Sequence, residues 1–182
     1  VETAFRIAAE ATARFAPDTR LYYNDYNIES RNKRQKVIAM IRGLRKAGAR
    51  VDGVGIQGHI NLKWPTATEL GQAIDEFAAE QLLVKVSELD ISIYTEDEPE
   101  RKVFQKELGF DTDLEQRLAQ RYAEVFDVFR AKAASLTSVT LWGVSDDHSW
   151  LNSWPVRRKN FPLLIDRAHQ PKLAMKRLLG AD

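Results

Sequence analysis

Four short apolar runs, each leading into a polar cluster, alternate with stretches of helical period along this chain. The runs cover residues 20–24, 51–57, 82–88 and 138–144. Between them, apolar side chains recur at the three- and four-residue spacing of one helix face. Repeated strand–helix units predict a parallel sheet, since a parallel pair needs a crossover long enough to hold a helix.

The helical stretches are individually legible. Residues 1–16 put Phe5, Ala8, Ala9, Thr12 and Phe15 on one side, and Pro17-Asp18 ends that segment. Residues 30–47 space Val37, Ile38, Ile41 and Leu44 for one face, with Gly48 where a helix-ending glycine belongs. Residues 66–80 start at a threonine cap, Thr66 or Thr68, and bury Leu70, Ile74 and Phe77. Residues 113–134 turn Leu114, Leu118, Tyr122, Val125, Phe126 and Phe129 inward, and residues 171–179 form a last helix. Residues 92–111 read as a long solvated loop, with a charge run from Glu96 through Glu98, Pro99 and Glu100 to Lys102. No low-complexity segment or linker interrupts the pattern.

Two architectures repeat βα units: an open doubly wound sheet and a (β/α)8 barrel. No glycine-rich phosphate loop follows any strand, which weakens the nucleotide-binding sheet. The strands lead instead into Asn24-Asp25-Tyr26-Asn27, Gln57-Gly58-His59, Glu88-Leu89-Asp90 and Ser145-Asp146-Asp147. Polar groups at the ends of several successive strands are the mark of a barrel active site. A barrel needs eight strands and about 250 residues. This chain has 182 residues and supplies four strands, so the arithmetic gives half a barrel, strands five to eight, over residues 1–182.

Ser87-Glu88-Leu89-Asp90-Ile91 is the most chemically pointed of these ends. Side chains two apart on a strand share a face, so Glu88 and Asp90 point the same way from a buried stem, with Cα atoms ~6.6 Å apart. A solvated strand end is the plain reading, and the motif alone leaves the two even.

Composition closes off several function classes. Twenty-seven basic against 26 acidic residues give a net charge of +1, and no basic stripe interleaves with aromatics, so no nucleic-acid partner is expected. The 44% apolar and 29% charged content fits a globular domain. No run of about 18 apolar residues exists to span a membrane. The absence of cysteine removes thiolate chemistry and suits either redox compartment. The chain opens in an amphipathic pattern without a signal-peptide signature, as a processed or cut chain would. Asp146, Asp147 and His148 raise a metal site, but consecutive ligands on one loop poorly match usual metal spacing, so no metal and no cofactor is expected.

The segments Leu21-Tyr22-Tyr23-Asn24-Asp25-Tyr26-Asn27, Val54-Gly55-Ile56-Gln57-Gly58-His59, Ser87-Glu88-Leu89-Asp90-Ile91 and Trp142-Gly143-Val144-Ser145-Asp146-Asp147-His148-Ser149-Trp150 together resemble the last four strand ends of family 10 glycoside hydrolases. Those are retaining endo-β-1,4-xylanases on a (β/α)8 barrel. The tail from Pro162-Leu163-Leu164-Ile165-Asp166 to Pro171-Lys172 resembles that family's ending, so the likeness runs from about residue 2 to residue 179. By that resemblance Glu88 is the nucleophile, His59 hydrogen-bonds it, and Asp90 supports His59. Gln57 binds the sugar next to the scissile bond. Trp142 and Trp150 wall the site, and Asn24, Tyr26 and Asn27 line the cleft on the following-sugar side. Ser87 stands where the family more usually has threonine.

The resemblance also implies what lies elsewhere. The family's general acid/base belongs to an Asn-Glu pair on the fourth strand, which precedes residue 1. Xylan or a xylo-oligosaccharide is the implied substrate, and an amino-terminal half, in the same or a separate chain, the implied partner. A secreted or periplasmic location is favoured. Glu88 and Asp90 are not themselves the acid–nucleophile pair if His59 lies between them. Trp150, in a loop of Ser, Asp and His, is expected to be the more exposed of the two wall tryptophans, with Trp64 and Trp154 as rim or packing residues. A non-catalytic sugar-binding or structural half barrel is the alternative.

Overall fold

The computed structural model describes residues 1–97 and 101–181. Glu98, Pro99 and Glu100 of the charge run lie outside the described residues. The described chain runs α1 (Glu2–Phe15), β1 (Tyr22–Asp25), α2 (Arg31–Lys46), β2 (Gly53–Ile56), β3 (His59–Asn61), α3 (Ala67–Ala79), β4 (Leu83–Ser92), α4 (Thr112–Ala131), β5 (Leu136–Leu141) and α5 (Leu173–Leu179). Every strand pairing is parallel. β1 lies beside β2, β2 beside β4, and β4 beside β5.

The helices start and stop for local reasons. Thr66, not Thr68, caps α3: its side chain accepts from the Glu69 backbone N–H while the Glu69 carboxylate accepts from that of Thr66. Asp111 caps α4 by accepting from Leu114. Gly48 follows α2 at φ +86°, a left-handed turn that glycine takes without steric cost. The apolar faces of α2, α3 and α4 pack on the sheet around Val54, Ile56, Val84 and Val86, all fully buried. Helix α1 is the exception. Phe5 reaches the core but Phe15 is 75% exposed, so the expected face is covered only at its beginning.

The third apolar run extends further than residues 82–88, as a ten-residue strand to Ser92. Its extra length pairs with β3, which continues the line of β2 beyond a break at Gln57-Gly58. Gly58 sits at φ +81°, and a Cβ there would press on Val86. That break ends the strand of the second run at Ile56 and makes His59–Asn61, beyond the run, a separate strand.

The two faces of the sheet differ from each other. Val54, Ile56 and Val86 point at the helices, not into a barrel interior, and only Val144, 80% exposed, lacks a cover. The other face carries small and polar groups. Tyr22, Gly53 and Leu83 are in register, as are Asn24, Gly55 and Lys85. A Cβ at Gly53 would overlap the Tyr22 ring, and one at Gly55 the Asn24 side chain, so glycine is what lets these side chains lie across the sheet. Strands β1 and β5 each pair on one side only among the described residues.

Candidate active site

The loop after β1 is anchored from beneath. The buried Arg34 guanidinium grips Glu76 through two bonds of 2.9 Å and donates to the Glu29 carbonyl at 2.5 Å. This holds residues 26–29 against the sheet edge, with Ile28 fully buried and Asn27 in a left-handed conformation at φ +54°.

Strand β4 aims its acids through an irregularity in its pairing. From Val86 to Leu89 it advances three residues while β5 advances two, from Val139 to Leu141. One extra residue in a strand twists it locally and redirects side chains, a device common beside active sites. Glu88 therefore lies within the strand rather than at its tip.

Glu88, His59 and Asp90 form one hydrogen-bonded chain. Glu88 Oε2 lies 3.1 Å from His59 Nε2, and His59 Nδ1 lies 3.0 Å from Asp90 Oδ1. Trp150 Nε1 donates to Asp90 Oδ2 at 2.7 Å. Asn24 Nδ2 donates to the other Glu88 oxygen, Oε1, at 2.7 Å. Ser87 Oγ donates to Asn24 Oδ1 at 2.5 Å, which turns the Asn24 amide so that its NH2 faces Glu88. The serine at position 87 thus does second-hand orientation of the carboxylate.

The protonation of His59 follows from its neighbours. An ionised carboxylate only accepts hydrogen bonds, so an imidazole set between two of them must carry a proton on each nitrogen. Burial works against that charge, but the hydrogen bonds and charges of Asp90 and Glu88 outweigh it and raise the His59 pKa above its ordinary value. Asp90 is 1% exposed and Glu88 remains reachable from the open face. The His59 ring stands between the two carboxyl groups and is within hydrogen-bond distance of both.

The aromatic walls are distributed differently from expectation. Trp142 is 46% exposed and meets His59 edge-on at 6.3 Å between ring centres. Trp150 is the more covered ring, tilted against His59 at 5.0 Å and fixed through Asp90. Its hydrogen bond, invisible in a polar-looking loop, reverses the predicted order of exposure. Trp64 and Trp154 join Trp150, Asn27 and Tyr94 around a cavity of about 350 Å³ beside His59 and Asp90. Their sequence signal is two Trp-Pro pairs in loops flanking the polar strand ends, and 61% exposure of Trp154 fits a place on the rim.

The remaining expected residues fall around this centre. Gln57 sits at the strand break, where its carbonyl accepts from Glu88 N at 2.8 Å. Tyr26 is exposed, with Lys33 Nζ 3.6 Å from its ring centre. Asp146 turns away from the surface altogether: it is buried, accepts from Leu163 N, and pairs with the buried Lys172 at 2.9 Å. Asp97 of the expected solvated loop is held by the Arg158 guanidinium.

Comparison with known proteins places the chain among relatives of one family. The profile of "Glycosyl hydrolase family 10" matches residues 1–181. The chain is 43% identical over 175 residues to a "Beta-1,4-xylanase" of Dictyoglomus thermophilum, covering 96% of this chain and 47% of that protein. It is 37% identical over 182 residues to an "Endo-1,4-beta-xylanase" of Geobacillus stearothermophilus, covering 99% and 52%. It superposes on the solved "Thermobacillus composti GH10 xylanase" with a TM-score of 0.88 at 37% identity, covering 100% of this chain and 57% of that one. The chain spans about half the length of the curated relatives it matches, and its parallel βα architecture is part of a (β/α)8 barrel.

Proposed function

The chain belongs to glycosyl hydrolase family 10, and we propose that it carries the nucleophile half of a retaining endo-β-1,4-xylanase. The observation that carries this reading is a carboxylate, Glu88, held at both oxygens on the open face of the sheet, by the Asn24 amide and by an imidazolium. Two donors on the two oxygens hold the carboxylate in one orientation, as a nucleophile aimed at one carbon requires. Glu88 attacks the anomeric carbon of the xylosyl unit, and the bond to the leaving oxygen breaks as that oxygen takes a proton from a general acid. Water, deprotonated by the same group, then displaces Glu88 and restores the starting configuration.

Within this reading His59 and Asp90 are positioning residues. They hold Glu88 in one orientation and balance its charge when the glycosyl bond forms and breaks. Trp142 offers a ring face for the apolar side of a sugar, and Gln57, Asn27 and Tyr26 line its path. The general acid comes from an amino-terminal half of the barrel, in the same or another chain, that also covers the free edges of β1 and β5. Unpaired strand edges invite such pairing. The natural setting is secreted or periplasmic, where xylan is met.

The test is reconstitution. Residues 1–182 purified alone should hydrolyse xylan negligibly, because a general acid contributes about 100- to 10,000-fold in rate. Activity should return when four preceding βα units are supplied. A 20.8 kDa monomer in sedimentation that hydrolyses xylan at an ordinary enzymatic rate would refute this reading.

A further inference from the structure

We propose that Asp147, His148 and His169 form a binding site for one divalent transition-metal ion, of the zinc, cobalt or nickel type, away from the Glu88 centre. Asp147 and His148 alone, consecutive on one loop, are a poor match to metal spacing. The fold adds His169 from a second turn, 21 residues after His148. One ligand atom from each of the three residues lies within 4.8 Å of the other two.

The spacing fits the ion. With metal–ligand bonds of about 2.0–2.2 Å, neighbouring ligand atoms of a tetrahedron stand about 3.3 Å apart. Asp147 Oδ2 lies 3.0 Å from His148 Nδ1 and 3.2 Å from His169 Nε2. The two imidazole rings are nearly parallel, 24° between planes, with centres 6.4 Å apart. Both are exposed, so small ring rotations close the third edge without disturbing any packed group. Two imidazoles and a carboxylate, with a water as fourth ligand, are a donor set that zinc-type ions favour over calcium or magnesium.

The backbone presents these groups on two turns that are already tied together. Asp147 and His148 ride a 3-10 turn, Asp146–His148, whose first residue is locked by Lys172 and Leu163. His169 sits at φ +61° in a turn closed by Asp166, which accepts from Ala168 and Gln170 at 2.8 Å each. Asp146 N donates to Ile165 O at 3.0 Å and joins the two turns. A bound ion would clamp the loop that leads to Trp150 onto the segment that leads to α5.

Titration of the chain with ZnCl2 by calorimetry, and with CoCl2 by visible absorption, tests this. One equivalent should bind, with a melting temperature that rises on zinc addition. His148→Gln and His169→Gln should each weaken binding at least tenfold and abolish that rise, while leaving the metal-free melting temperature unchanged. His59 is the third histidine of the chain and supplies the control. Absence of stoichiometric binding overturns the proposal. So does binding that survives in the His148→Gln/His169→Gln double variant, or that is lost in His59→Asn instead.

Discussion

Along β2 and β4 the side chains directed at the helices are Val54, Ile56, Val84 and Val86, each without exposed surface. The register positions between them are Gly53, Gly55, Lys85 and Ser87. One face is a close-packed apolar layer that carries the stability of the fold. The other has almost no apolar depth of its own: its glycines make room for Tyr22 and Asn24, and its polar groups orient one carboxylate. A strand with period two can do both at once, so stability and the support of the site sit on the same two strands and yet are separable by substitution.

The largest effect expected on the open face is that of Glu88→Gln. In the complete enzyme it should lower xylan turnover on the order of 10⁴-fold or more, as loss of a nucleophile does. The melting temperature should stay close to that of the parent, because the amide is isosteric. A large fall in stability at unchanged turnover would erase the division between the faces.

On the helix face, Ile56→Ala should destabilise the chain by about 2–5 kcal/mol, the cost of a large-to-small change in a packed core, read from urea unfolding. In the complete enzyme, kcat of the folded fraction should be little altered. A change of KM or kcat with intact stability would mean that this layer shapes the site directly.

Glu29 sharpens the comparison at the boundary between the two faces. Its carboxyl is buried, and neither oxygen has a hydrogen-bond partner among the described residues. Burial pushes its pKa from 4.5 up to about 7, with His59, Lys33 and Arg34 pulling partly the other way. Below pH 4.5 the group is neutral in folded and unfolded chains alike. Between pH 4.5 and about 7 the unfolded chain gains from ionising while the folded one does not, so stability falls by on the order of 3 kcal/mol and levels off above about 7, where both ionise. Glu29→Gln should remove that loss. Its melting temperature should exceed the parent's at pH 8 and match it at pH 4; equal gains at both would show that Glu29 does not titrate in this window.

The smallest expected effect belongs to the tryptophans. Trp142→Ala should cost about tenfold in kcat/KM for xylo-oligosaccharides with little change in melting temperature, the scale of one aromatic stacking contact. Trp150→Ala should lower both, since Asp90 loses its indole donor. If Trp142→Ala lowers stability alone, the ring is packing and not a sugar platform.

Much of this organisation was legible in residue order. The helix faces of α2, α3 and α4 and the Thr66–Glu69 cap depend on contacts within a few residues, which periodicity records directly. One polar strand end reads equally well as a solvated tip; the four in succession were legible as a site because a barrel draws its functional groups from the ends of several strands. Three things were not. The apolar runs do not say which of their faces meets the helices, and the alternating glycines Gly53 and Gly55 were the missed cue. The break at Gly58 and the length of β4 depend on each other across the sheet, a pairing that no single strand encodes. Trp150 and His169 are set by partners 60 and 22 residues away, Asp90 and Asp147, so neither burial nor clustering could be read locally.

The account turns on Glu88 as the group that bonds to sugar. The most direct measurement is to treat the complete enzyme with a 2-fluoro-xylobioside bearing a good leaving group and to map the labelled peptide by mass spectrometry. One xylobiosyl unit per site, esterified to Glu88, is the predicted result. A label on Asp90 or any other residue, with Glu88 unmodified, would contradict it.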